Sequence, residues 1–138
     1  MPELIRTGIS LERELLERFD RAIRKKGYGN RSEAIRDLVR DYAVAEDVEE
    51  NRTVVGSLTI VYDHHRRNLS EQLIDAQHHA HGKVIAATHV HLNESNCLEV
   101  VIMKGRSSEV KRTADQILSL RGVKHGKLVL TTQGKGLA

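Results

Sequence analysis

Residues 4–11, LIRTGISL, form a single strand-like run ahead of two helix-like segments, and that order restricts the chain more than anything else in it. Ile5, Thr7, Ile9 and Leu11 alternate onto one face while Arg6, Gly8 and Ser10 fall on the other, the period-two pattern of a half-buried strand. Leu15, Leu16, Phe19, Ala22 and Ile23 then recur at helical spacing as far as Gly27, a natural C-terminal stop. Asn30 offers an N-cap with Glu33 three residues on. Ala34, Ile35, Leu38, Val39 and Tyr42 follow on one face, which predicts a second helix to about residue 46. One strand with two helices cannot stand alone, because the strand has no partner within the segment. Strands from two copies, paired antiparallel, would solve this. Ile5, Ile9 and Leu11 would cover a shared helical core, and Arg6, Gly8 and Ser10 of both copies would face outward together.

Composition supports association. With 138 residues, 39% hydrophobic, one Phe, three Tyr and no Trp, the chain builds modest aliphatic cores of the kind often completed by oligomerising. One cysteine makes no internal disulfide, and neither a leader nor an apolar run of spanning length is present, so the expected location is cytoplasmic, with no membrane partner. A net charge of +3 is too small to announce a nucleic-acid binder. The histidines say more: most of the eight crowd between residues 64 and 91.

The stretch DVEENRT lacks apolar periodicity and precedes the β-like run VVGSLTIVY, which places domains at 1–47 and 54–138 with a linker at 48–53. Beyond it the pattern predicts strands at 54–62, 84–92, 96–104 and about 123–131, with helices at about 67–80 and 108–121. The order βαββαβ is a split βαβ, ferredoxin-like arrangement: an antiparallel sheet with both helices on one face and the other face in need of cover. The fold class is α+β.

Residues 89–97, HVHLNESNC, carry the chemistry. Positions i and i+2 of a strand face the same way, so His89 and His91 present two imidazoles on one side. A hairpin turning over residues 93–95 sets His91 opposite Cys97 and His89 opposite Glu99, which could orient one ring by a hydrogen bond. Imidazole and thiolate suit late first-row metals. Singly, the residues also fit solvated histidines and a small core cysteine. Three donors are not four, and the nearest further supply is QHHAH, residues 77–81, on the preceding helix.

LIRTGIS through GYGNRSEAIRDLVRDY resembles a ribbon-helix-helix DNA-binding domain. That resemblance implies a two-stranded ribbon in the major groove with Arg6, Gly8 and Ser10 toward base edges, and helix-two N–H groups at Asn30, Arg31 and Ser32 toward a phosphate. With an ACT-type domain carrying QHH, HVH, CLEV and GVKHGKL, nearly the whole chain resembles the nickel-responsive regulator family, NikR. The resemblance implies one nickel(II) per subunit, held square-planar by His89, His91 and Cys97, with His78 from a second subunit. It also implies a homotetramer, a dimer of dimers, that binds double-stranded operator DNA with two half-sites and represses nickel-uptake genes. Arg66 and Arg67 match a basic pair that touches the DNA backbone, and Glu33 and Asp37 match an interdomain cation site. Gly8 departs from the pattern, standing where many relatives carry a side chain able to read a base.

Rival readings are an ACT-like small-molecule sensor and a nickel storage or delivery protein that ignores DNA. His64, His65, His79, His81 and His125 read as weaker sites or as solvated side chains. Nothing in the sequence supplies a nucleophile–base pair with a positioned acid, so an enzyme is not expected. Copper(II) binds most N/S sites more tightly than nickel, so selectivity would have to come from geometry and supply.

Overall fold

The computed structural model describes residues 2–80 and 83–138. They form two compact units: one from the N-terminus to Ala43 with Gly134–Ala138, the other Val44–Gln133.

The N-terminal unit contains helix α1 (Arg13–Lys25) and most of α2 (Arg31–Glu49). Helix α1 stops at Gly27, whose φ of 89° lets the Tyr28 amide reach back to the Ile23 carbonyl (3.1 Å) and its own amide to Arg24 (3.0 Å). Helix α2 starts at Asn30, whose side-chain oxygen accepts the Glu33 N–H at 3.0 Å. Arg31 forks onto Asp20 at 2.7 and 2.8 Å, tying the start of α2 to α1. The expected strand at 4–11 is not formed: residues 2–12 carry no regular secondary structure. The physical reason is the one its isolation suggests, since a strand exists only against a neighbour and this unit offers none. Burial tells the same story. Among the described residues the unit buries only Ile23 and Ala34, while Leu4, Ile5, Val39 and Tyr42 are 88%, 77%, 62% and 77% exposed.

The second unit contains β1 (Thr53–Asp63), α3 (Leu69–His78), β2 (Val84–His91), β3 (Asn96–Arg106), α4 (Ser107–Leu118) and β4 (Val123–Thr131). Its sheet runs β2-β3-β1-β4 and every pairing is antiparallel, the α+β ferredoxin-like arrangement. Alternation in β1 buries Val54, Leu58, Ile60 and Tyr62 against Leu69 and Leu73 of α3 and Val110, Ala114 and Ile117 of α4. Gly56 lets α4 approach closely, because a Cβ there would meet Val110 Cγ1 at 2.6 Å. The opposite face carries half-buried Val55, Val61, Leu98 and Val100 beside exposed Val90, Ile102 and Val129, an apolar surface without a covering layer in this chain.

Several element ends differ from the sequence pattern: β3 runs on to Arg106, α3 closes at His78 and α4 closes at Leu118. Helix α2 continues through Glu49, so only residues 50–52 separate it from β1. Helix α3 begins at Leu69 because Asn68 is left-handed, with φ 67°. Among the described residues no helix is long and apolar enough to cross a membrane.

Candidate metal centre and nucleic-acid interface

The β2–β3 hairpin builds the candidate metal centre. Its turn is held by one side chain: the Asn93 oxygen accepts the N–H groups of Ser95 (3.1 Å) and Asn96 (3.0 Å) and the Asn96 amide (3.1 Å). Leu92 N–H closes the hairpin onto Asn96 at 2.9 Å. In the resulting register His91 faces Cys97 and His89 faces Glu99. The donor atoms of His89, His91 and Cys97 lie within 4.8 Å of one another, and Cys97 Sγ is 3.3 Å from His91 Nδ1. Such spacings suit ligands around one late first-row ion, whose bonds to nitrogen and sulfur run about 2.0–2.3 Å. Cys97 is fully buried and the two histidines are exposed, so the thiol forms the floor of the patch and the rings its open side.

The hydrogen bond that the structure places on the His89 ring is with Tyr62. Tyr62, opposite Cys97 on β1, places its hydroxyl 2.9 Å from His89 Nδ1, while the Glu99 carboxylate receives the Gln77 amide at 3.4 Å. Tyr62 reaches the site because β1 is the strand next to β3, a neighbourhood that nothing local in the sequence encodes. Burial, then the charges of Glu99 and Cys97, push its phenol up to about 12, so the hydroxyl stays protonated at neutral pH. With Nδ1 held by Tyr62, His89 has Nε2 left for a metal.

His78 closes α3 and is exposed, and it does not belong to the three-donor group. Its neighbour Gln77 points to Glu99 on the same sheet. Successive helical residues are about 100° apart, so His78 does not share the direction of Gln77. Of the remaining histidines, His64 sits edge-on against His91, ring centroids 5.8 Å apart, and all those among the described residues lie outside the three-donor group. His64 bonds the Glu94 carbonyl and lies beside His65, His79 bonds Asp75 at 2.7 Å, His125 is exposed on β4, and His81 lies outside the described residues.

The expected nucleic-acid residues fall in both units. Arg6 and Ser32 line one groove with Ile5, Thr7 and Arg36. Gly8 has open space around it and Ser10 is exposed. Arg31, expected on a phosphate, is held by Asp20. Asp37 is likewise engaged, accepting the Tyr28 hydroxyl at 2.5 Å and Arg40 at 2.9 Å. Hydrogen bonding from Tyr28 and then Arg40 keeps its carboxyl below the ordinary range against the opposing effect of burial. In the second unit Arg66 and Arg67 share a concavity with His65, Asn68, Gln72 and Arg121. Arg121 is a third exposed guanidinium that the sequence did not single out, brought in because Gly122 packs on Arg66.

Fold and site together define a class: a regulator joining a ribbon-helix-helix unit to an ACT-like metal-binding unit, and not an enzyme. Residues 55–131 match the family described as the NikR C-terminal nickel-binding domain, and residues 5–46 match the ribbon-helix-helix proteins of the copG family. The chain belongs to the NikR family of nickel-responsive regulators. Proteins described as nickel-responsive regulators from Geobacter sulfurreducens and Thermococcus onnurineus are similar to it, 53% identical over 138 residues (99% of each chain) and 49% identical over 136 residues (98% of this chain, 99% of that one). A solved structure of an uncharacterized Thermotoga maritima protein shares the fold, with a TM-score of 0.51 at 16% identity over 57% of this chain and 98% of that one.

Proposed function

We propose that this chain is a nickel-gated repressor of nickel-uptake genes, acting as a homotetramer with one nickel(II) per subunit. The observation that carries the reading is a donor set one ligand short: His89, His91 and Cys97 converge on one patch while His78 of the same chain lies outside that group. His78 of a second copy supplies the fourth donor, so nickel binds where two copies meet. Two imidazoles and a thiolate favour a borderline ion such as nickel(II) over a hard one. The metal contributes no reaction. It contributes binding energy available only to one assembly geometry.

Functionally, residues 1–47 bind DNA, 48–53 connect, and 54–138 bind metal and assemble. Arg6, Gly8 and Ser10 face base edges in a ribbon that two copies build together, and Asn30, Arg31, Ser32, Arg66 and Arg67 hold phosphates at each of two half-sites. Arg31 must exchange Asp20 for the phosphate. Glu33 and Asp37 take a cation only if Asp37 releases Tyr28 and Arg40. Metal and operator then share a coupling free energy, each tightening the other.

Two measurements test the reading. Equilibrium dialysis should give stoichiometric nickel that is lost in Cys97→Ala and His89→Ala; retained binding would favour an ACT-like sensor with incidental histidines. Affinity for a duplex with two half-sites should rise on adding nickel, and equal affinity in both conditions would leave a storage or delivery protein.

A further inference from the structure

Helix α2 belongs to both units, its residues up to Ala43 packing with the first and those from Val44 with the second. A helix that crosses a boundary carries a change of position only if its far end is fixed. The far end is fixed here, and not by continuing into a strand. After Glu49 the chain turns through Asn51, one of two described non-glycine residues with positive φ, at 55°. That turn aims the Asn51 side chain at the start of α4, where its Oδ1 accepts the Ser108 N–H at 2.8 Å. Arg106, at the N-cap position of α4, supplies no side-chain cap, so Asn51 does that work from a distant part of the chain.

Ser107 answers in the other direction. Its Oγ lies 2.6 Å from the Val48 carbonyl and 3.3 Å from Asn51 Oδ1, and its single hydroxyl hydrogen goes to the nearer carbonyl, in the last turn of α2, which also accepts the Asn51 N–H at 3.2 Å. The Ser107 N–H reaches Arg52 O at 3.1 Å, and Val48 packs against the hydrophobic core. Ser107 is 2% exposed, so water does not substitute for these bonds. Helix α4 in turn packs Val110, Ala114 and Ile117 into the core that also holds Cys97 and Tyr62.

We infer that Asn51 and Ser107 are positioning residues for nickel-gated DNA binding: they clamp the last turn of α2 to α4, so that a shift in the metal-binding unit moves the helix that carries the DNA-binding face. The inference rests on the nickel-gated reading above. Two substitutions isolate the clamp. Asn51→Gly keeps a residue at ease with positive φ but removes the cap, and Ser107→Ala removes the hydroxyl at nearly the same volume. The probe is a labelled duplex recovered from a random library by the nickel-loaded wild-type protein. Nickel binding by both variants should match wild type in stoichiometry and affinity, and so should DNA binding without nickel. The nickel-dependent gain in DNA affinity should fall about tenfold, well within the usual range of allosteric coupling. An undiminished gain in both variants overturns the clamp, as does a loss of nickel affinity equal to the loss of gain. If the wild type itself recovers no duplex or shows no gain, it is the nickel-gated reading that fails.

Discussion

Replacing Tyr62 with Phe tests the metal centre at the contact the structure adds to it. The substitution keeps the buried ring and removes only the hydroxyl 2.9 Å from His89 Nδ1. When His89 binds metal through Nε2, Nδ1 carries a hydrogen and the phenolic oxygen accepts it. Without the oxygen, a half-enclosed N–H loses its partner, at a cost of about 1–3 kcal/mol. Part of that cost already exists in the metal-free protein, where the same contact is made. The net effect on binding is therefore set near the low end, about 1.4 kcal/mol or tenfold, the lower edge of the 10–100-fold typical for partners of metal-bound histidines. The assay is nickel competition against a chelator of known affinity, with thermal unfolding as the control for fold. Because burial, Glu99 and Cys97 push the Tyr62 phenol up to about 12, the hydroxyl does not ionise at neutral pH and the wild-type advantage should be constant across it. A variant that binds nickel within about twofold of wild type would refute the reasoning, since that is under half of the expected free energy.

Gly56→Ala should destabilise the second unit by about 1–3 kcal/mol in denaturant unfolding, because the added Cβ would meet Val110 Cγ1 at 2.6 Å and Leu128 Cδ1 at 3.2 Å. Alanine at Arg66, Arg67 or Arg121 should each weaken DNA binding alike across sequences and reduce the salt slope by about one, with nickel affinity unchanged; an unaltered slope would remove that residue from the phosphate contacts. The Asp20 carboxyl is held below the ordinary range chiefly by its hydrogen bond from Arg31. A folded value below the unfolded one means stabilisation that is complete above the ordinary carboxylate range and lost as pH falls through the lowered value. Helical circular dichroism of wild type should therefore decline more steeply below about pH 4 than that of Asp20→Asn.

The hairpin register was legible from residues because strand periodicity and a polar turn leave few ways to pair 89–91 with 97–99, and His91 does face Cys97. Tyr62 was not legible: it lies 27 residues from His89 and meets it only through the order of strands in the sheet. Glu99 faces His89 as the register predicts, while its carboxylate receives the Gln77 amide, because cross-strand pairing fixes the face a residue occupies and not which of several nearby donors it receives. The βαα order of the first unit could be read, yet its strand is absent from one chain, since periodicity signals a capacity to pair and pairing needs a second strand. Arg31 shows the same limit for charge. A basic residue at a helix start suggests a phosphate, but Asp20, on another helix, is in reach first.

Strand β2 lies at the edge of the sheet and is exposed along nearly all its length. A lone protomer thus offers an open row of backbone donors and acceptors, a ready template for unwanted strand addition. The same strand bears two of the three candidate metal donors, so in the proposed assembly the open edge and the metal patch share one strand. On that reading a copy left unpaired would keep its exposed edge and lack the fourth donor, so one surface would govern both adhesion and metal sensing.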